Sequence, residues 1–302
     1  MPKLLTDVPQ IQFAILSGSA GWGVAFPEGL NVEGVKILDR DLVFDTPWGK
    51  TSNWQVLELD GKLTQDGKPR LVLNVFSHGW SVDAIDHSDH RRVGWVLQQA
   101  GAKKVLADST CGSLNKFLAP RDFIIPADVL DFSQTAYSLA KGRFRHVMVS
   151  RQLFCPDLAK TVEDTARELW PTPARVLGHS HDIVAAHNWG PRFSSAAEAR
   201  AYQHLGADAI NQSIGAEATA VREVGACFVS ASYIVRHQDS IAPHYPPDDL
   251  DQIHHDLAEV SSRISLLSIA RSSLTDSCGC RALRIERPDE YAVNAQGRKP
   301  SA

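Results

Sequence analysis

Short apolar runs rich in β-branched and aromatic residues alternate along the chain with longer segments whose apolar positions recur every three or four residues. That alternation predicts a sheet covered by helices. The runs predict strands at Ile11–Leu16, Val35–Leu38, Trp54–Leu59, Leu71–Phe76, Lys104–Ala107, Phe123–Ile125, Arg175–Leu177, Ala209–Asn211 and Cys227–Val235. Most of them end on Gly, Ser, Asn or Asp, residues that break a strand into a turn. Helical spacing predicts helices over Asp89–Ala100, Pro156–Leu169, Ser195–Leu205, Ala216–Val224 and Pro246–Arg271, with Gly101 and Gly225 punctuating two of the ends. The class is α/β. No internal repeat is visible and the chain turns polar after Pro288. One domain is therefore expected over residues 1–290, followed by a flexible tail over 291–302.

Composition narrows the classes of partner. The chain has 302 residues, 43% hydrophobic and 22% charged, which places it among globular proteins able to bury a large core. A net charge of -4 supplies no basic stripe for a phosphate backbone, so nucleic acid is not an expected partner. Asp7, Pro9 and Gln10 interrupt the first apolar stretch, and no run approaches the roughly eighteen apolar residues of a membrane span. A cytoplasmic protein without a membrane partner is expected. Five cysteines are an odd number for a disulfide framework, and Cys111, Cys155 and Cys227 read as packing residues. The Cys278-Gly279-Cys280 pair lacks the second ligand pair of a zinc site. The histidine clusters His87-Ser88-Asp89-His90 and His179-Ser180-His181 lack the i, i+4 pairing of a zinc protease, so no metal is predicted there either.

A sheet of this class binds ligands beyond the carboxyl ends of its strands. Three such ends carry small hydroxyl residues and Gly: Ser17–Gly21, Ser77-His78-Gly79 and Asp108–Ser113. Free N–H groups and hydroxyls donate together there, which suits an oxyanion such as phosphate. No GxSxG elbow and no Walker or Rossmann spacing occurs.

Several segments resemble, in order, the trimeric nucleoside phosphorylases, in particular the methylthioadenosine phosphorylase branch of the purine nucleoside phosphorylases. They are DTPWGKTS (Asp45–Ser52), STCGSL (Ser109–Leu114), GPRFSSAAE (Gly190–Glu198), GADAINQSIGAEATAVREVG (Gly206–Gly225) and CGCRAL (Cys278–Leu283). The resemblance implies a mixed, partly barrel-like sheet surrounded by helices, a homotrimer with sites at subunit interfaces, and phosphorolysis of a purine-type nucleoside. Phosphate would be the cosubstrate, with no metal or organic cofactor. It places Ser19, Ser77, His78, Ser109, Thr110 and Ser213 at the phosphate. It places Cys111, Gly112, Trp189, Phe193, Gln212, Arg236 and Gln238 around the nucleoside, with His146 reaching the sugar's 5′ end from a neighbouring subunit. In this resemblance His78, Arg236 and Asp239 carry the catalytic roles. The CxC pair resembles one that joins as a bridge in some relatives.

The chain departs from the family's pattern at sites of chemistry. Ser77 stands where the pattern has a phosphate-pairing Arg, Trp189 where it has Glu, and Gln212 where it has Met. Arg236 and Gln238 stand where an acidic pair recognises an aminopurine, and a one-residue slip would put Asp239 there. Arg has five donors and no acceptor, so Arg236 disfavours adenine and favours a base offering carbonyl or ring-nitrogen acceptors. Alternatively it turns outward or pairs with Asp239 or Glu217. Two other readings stay open: a hydrolase or transferase using another nucleophile, and a silent nucleoside-binding protein.

Overall fold

The computed structural model describes residues 3–77, 88–133, 139, 147–149, 152–189, 192–238, 247–275 and 277–286. The first strands are β1 (Lys3–Leu5), β2 (Phe13–Ser17), β3 (Val35–Thr46), β4 (Gly49–Lys50), β5 (Trp54–Leu59) and β6 (Arg70–Phe76). Helix α1 (Ser88–Ala100) leads into β7 (Lys104–Ser113), β8 (Phe123–Ile124), β9 (Asp128–Asp131) and β10 (Val147–Val149). Helix α2 (Pro156–Leu169) precedes β11 (Val176–Leu177) and β12 (Val184–His187). Helices α3 (Ala196–His204) and α4 (Ile214–Val224) flank β13 (Ala209–Asn211), and β14 (Cys227–His237), α5 (Pro247–Arg271) and β15 (Arg284–Glu286) close the order.

The main sheet is mixed. Its order is β1-β3-β5-β6-β2-β7-β13-β12-β9, with β14 pairing β7 and β8, β11 pairing β8, and β4 pairing β3. Among the described residues this path does not close on itself, so the sheet is open. Strands β6, β2, β7 and β14 run parallel, as fully buried strands joined through helices do. Strand β5 is antiparallel to β3 and β6.

Period-two alternation divides the core. Phe13, Ile15, Leu106, Val229 and Tyr233 face α2 and α5, whose Leu158, Val162, Leu257 and Ile269 pack against them. Ala14, Leu16, Val105, Ala107 and Phe228 face the other way, onto Val96 and Leu97 of α1 and Ile214 and Val221 of α4. Each fully buried Leu, Ile or Phe contributes about 2 kcal/mol from area removed from water. A helical layer therefore lies on either face of the central strands.

The predicted strands and helices reappear with shifted ends. Strand β3 runs on to Thr46 rather than stopping at Leu38, because the pairing with β5 continues past the polar Asp39-Arg40-Asp41 stretch through two register irregularities. Besides β1, β4, β10 and β15, strands β9 and β12 were not predicted. They are short, and each exists by pairing with the other, while β12 also pairs β13. No helix among the described residues is long and apolar enough to cross a membrane.

One long-range tie fixes α5 to the sheet. Arg70, 7% exposed at the start of β6, donates from Nη1 to the Ile269 and Ser272 carbonyls at 2.6 and 2.7 Å. Its guanidinium also lies 4.0 Å over the Phe13 ring. Those carbonyls end α5 and have no partner within the helix. The Ile269 carbonyl also accepts from Ser272, at 2.9 Å from its hydroxyl, so Arg70→Met strands chiefly the Ser272 carbonyl and should lower unfolding stability by about 1–2 kcal/mol, read from urea denaturation.

Candidate active site

The site begins where β7 exchanges neighbours. Along one edge β7 pairs β2 at Lys104–Ala107 and then β13 at Gly112 and Ser113, while β14 follows its other edge from end to end. Between the two partners a crevice opens, and its backbone groups are satisfied by side chains. Asp108, buried, accepts the Gly18 N–H at 2.9 Å. The Thr110 N–H donates to Ser19 Oγ at 3.0 Å, and the two hydroxyls share a further bond of 2.9 Å. Asn211 Nδ2 donates to the Thr110 carbonyl at 2.9 Å, while its Oδ1 takes the N–H groups of Ser213 and Ile214 at 2.7 and 2.8 Å. The Gly-rich turn after β2 and the start of α4 are thus fastened to the same stretch of β7.

A buried carboxylate stands behind this crevice. Glu217, 2% exposed in the first turn of α4, accepts from Ser77 Oγ at 3.1 Å and from Ser213 Oγ at 3.2 Å. Both hydroxyls also touch other acceptors: Ser77 the Ser17 carbonyl at 3.4 Å, Ser213 the Asn211 Oδ1 at 3.2 Å. Ser77 occupies the place of the pattern's Arg but brings no charge, and its hydroxyl points at the Glu217 carboxyl.

A cation lies at the end of β14. A register shift between Ile234 and Arg236 brings Arg236 opposite Gly112 and His237 opposite Ser113. The Arg236 guanidinium sits 4.1 Å over the Phe193 ring, and Phe193 is 64% exposed. Among the described residues no carboxylate pairs with Arg236, whose guanidinium rests on this aromatic platform. Phe193 is positioned by the start of α3. Ser195 and Glu198 form a reciprocal cap there, and Arg192 clasps Glu198 through two bonds of 2.6 and 2.7 Å. The Arg192 hydrogen bonds hold the Glu198 carboxyl at about 2. Gln212 Nε2 donates to the Arg192 carbonyl at 2.8 Å, which joins Gln212 to the same corner. Gln238, 5% exposed, lies across Gly112: a Cβ at residue 112 would come within 2.0 Å of Gln238 Nε2. Glycine leaves that space to the amide, and a side chain at 112 would have to displace it.

Several expected residues take other positions. Ser109 is fully buried between β7 and β14, where its Oγ bonds Ser232 Oγ at 2.8 Å. Cys111 is buried too, and burial pushes its thiol up to about 12, so it serves as a neutral wall. Trp189 meets His90 edge-on at 5.7 Å and tilts against His187 at 6.1 Å, linking α1 to β12. His78, His146 and Asp239 lie outside the described residues. Glu217 holds Ser77 and Ser213 rather than Arg236. The sequence reading missed this anchoring role, although Glu217 lies one helical turn after Ser213, a spacing that puts both on one face. Asp108, which borders one recognised motif, and Asn211, which lies within another, were missed as anchors as well. Among the described residues, the side chains grouped as metal ligands are four cysteines, Cys155, Cys227, Cys278 and Cys280, away from this crevice at the opposite end of β7.

Residues 70–270 match the model of the phosphorylase superfamily. The chain is 28% identical over 214 residues to a probable 6-oxopurine nucleoside phosphorylase of Thermococcus kodakarensis, covering 68% of this chain and 74% of that one. It is 26% identical over 273 residues to an S-methyl-5′-thioadenosine phosphorylase of Pyrococcus horikoshii, covering 89% and 96%. The fold is similar to that of methylthioadenosine phosphorylase from Schistosoma mansoni in complex with adenine, with a TM-score of 0.68, 20% identity, and coverage of 90% and 97%.

Beneath the Ser19 turn, the Tyr233 hydroxyl donates to the Ala20 carbonyl at 3.2 Å and lies 3.2 Å from His254 Nδ1. Burial holds the His254 imidazole below its ordinary 6.5. The unfolded chain therefore takes up this proton first, and the folded state loses stability as pH falls below about 6.5. A His254→Gln variant should show a flatter stability profile than wild type between about pH 6.5 and 5, measured by urea denaturation across that range.

Proposed function

Because the chain belongs to the phosphorylase superfamily, we propose that it is a pentosyltransferase. It cleaves the N-glycosidic bond of a purine nucleoside with phosphate, releasing free base and sugar 1-phosphate. The observation that carries this reading is the crevice where β7 exchanges partners. Small hydroxyls in two bonded groups, Ser19 with Thr110 and Ser77 with Ser213 on Glu217, lie there beyond the strand ends. Phosphate would enter at Ser19, Thr110, Ser77 and Ser213, with His78 beside it. Since Ser77 and Ser213 donate to Glu217, they offer lone pairs toward the crevice, and a phosphate that still carries a proton can donate to them. Attack on the anomeric carbon builds positive charge on the sugar and negative charge on the departing base.

At the base, Arg236 stacked on Phe193 supplies donors to a ring carbonyl and to the leaving anion. This favours 6-oxopurines over adenine, and Gln238, two residues after Arg236 and lying over Gly112, would offer its amide to the ring. The reaction needs phosphate as cosubstrate and no metal or organic cofactor. The acting unit is a cytoplasmic homotrimer, each chain a single domain over residues 1–290. His146 of one subunit meets the sugar's 5′ end bound in the next.

One observation favours a second reading, hydrolysis. The residue in the Arg position is an uncharged Ser that donates to a buried carboxylate, which weakens the hold on a dianion. Mass-spectrometric product analysis separates the two. With inosine, guanosine and methylthioadenosine in phosphate and in phosphate-free buffer, sugar 1-phosphate should form only with phosphate, and the 6-oxopurine nucleosides should turn over faster. Free sugar in both buffers would assign hydrolysis instead. Arg236→Ala should lower kcat/KM for inosine by roughly 10- to 100-fold, the cost of one charge-assisted bond to the base. A larger loss for methylthioadenosine than for inosine would overturn the assignment of Arg236 to the 6-oxo group.

A further inference from the structure

The far end of β7 holds a second constellation. Cys155 caps α2, Cys227 begins β14, and Cys278 and Cys280 come from the C-terminal CxC turn. All four sulfurs lie within 4.8 Å of one another, with Cys227 and Cys278 at 3.5 Å, and none is bridged. We propose that these four cysteines form a tetrathiolate site for a divalent zinc ion, structural in role and separate from the nucleoside crevice.

The geometry matches the ion. Zinc bound to four thiolates at about 2.3 Å sets sulfurs about 3.8 Å apart at the corners of a tetrahedron. Four sulfurs from three separate stretches of chain converge to that separation with small adjustments. Cys155, Cys227 and Cys280 are buried and Cys278 is half-buried, so the site has the closed character of a structural centre rather than an open catalytic one.

The surroundings supply the outer shell that such a centre requires. Lys104, 4% exposed, points its Nζ at Cys227 Sγ, 3.2 Å away. A buried ammonium is costly unless it faces an anion, and a zinc tetrathiolate carries a net charge of about -2. The Leu158 N–H, in the first turn of α2, reaches Cys155 Sγ at 3.5 Å, and a helix N-terminus favours a thiolate. Arg222, fully buried, donates to the Cys280 carbonyl and to the Ala226 carbonyl, both at 2.7 Å. It thereby holds the CxC turn against the residue before Cys227. Gly279 has φ +64, a left-handed conformation that lets the chain turn between the two ligands. Beside Cys227 and Lys104 opens a cleft of about 420 Å³ lined also by Lys103, Leu274 and Arg281, so cationic side chains flank the anionic centre on that side. Binding exchanges the thiol protons for zinc: four thiols yield one zinc tetrathiolate and four protons. No electron transfer is involved.

The full-length protein decides the matter when purified with reductant and without chelator. Metal analysis should find about one zinc per chain. Cobalt added to the reduced, metal-stripped protein should give intense thiolate-to-cobalt absorption in the near ultraviolet and d–d bands typical of tetrahedral coordination. Zinc should then displace that spectrum. A Cys278→Ser/Cys280→Ser variant should bind no metal and melt at a lower temperature than wild type. If that variant does not fold, the cobalt spectrum of the wild type still decides. Absence of stoichiometric zinc together with no tetrahedral cobalt spectrum overturns the proposal. So does peptide mapping that finds a Cys227–Cys278 disulfide in metal-free protein that still folds under these reducing conditions.

Discussion

Strand β7 must satisfy its backbone on an edge where its neighbour changes, and most of the candidate site follows from that constraint. Buried N–H and C=O groups left without a ladder partner are costly, so side chains complete the pairing. The Ser19 hydroxyl takes the Thr110 N–H, and Asn211 gives to the Thr110 carbonyl. Asp108 holds the turn after β2 by its Gly18 N–H. The residues that repair the sheet are the ones that line the crevice. A change that disturbed this pairing would therefore move the ligand groups along with the fold.

The two ends of the crevice are held differently. Glu217 lies behind the hydroxyls, and Arg236 stands at the end of β14 on Phe193. In the proposed reaction the base becomes negative as it leaves, so a cation at the base favours the transition state over the ground state, while Glu217 fixes the hydroxyls that would meet phosphate. Neither group must move for this to work. The stacking of Arg236 on the ring and the clasped Arg192–Glu198 pair hold the base end in place before any ligand arrives.

How much of this was legible in the sequence depended on range. Runs dominated by apolar residues, such as 11–16, 71–76 and 227–235, declared the central strands, because burial on both faces leaves few polar positions, Asn74, Ser230 and Ser232 among them. Strands β9 and β12 stayed hidden since pairing, not propensity, makes them strands. The hydroxyl-rich turns after β2 and within β7 were visible as small-residue clusters, but their mutual bond was not. Ser109 and Thr110 look alike on paper, yet alternation along β7 sends one inward to Ser232 and the other to Ser19. Glu217 and Ser77 are distant in the chain and meet only once α4 packs beside β6. The CxC turn looked short of ligands for the same reason: Cys155 and Cys227 come from elsewhere in the fold.

The contact between Gly112 and Gln238 also bears on how this sequence can change over time. A Cβ at residue 112 would collide with the Gln238 amide at 2.0 Å and with its Cδ at 3.0 Å. A larger residue at 112 therefore requires the Gln238 amide to swing aside or residue 238 to shorten. The two positions are coupled, so a substitution on β7 is felt first as a displaced side chain beyond the end of β14, at the corner that Arg236 shares.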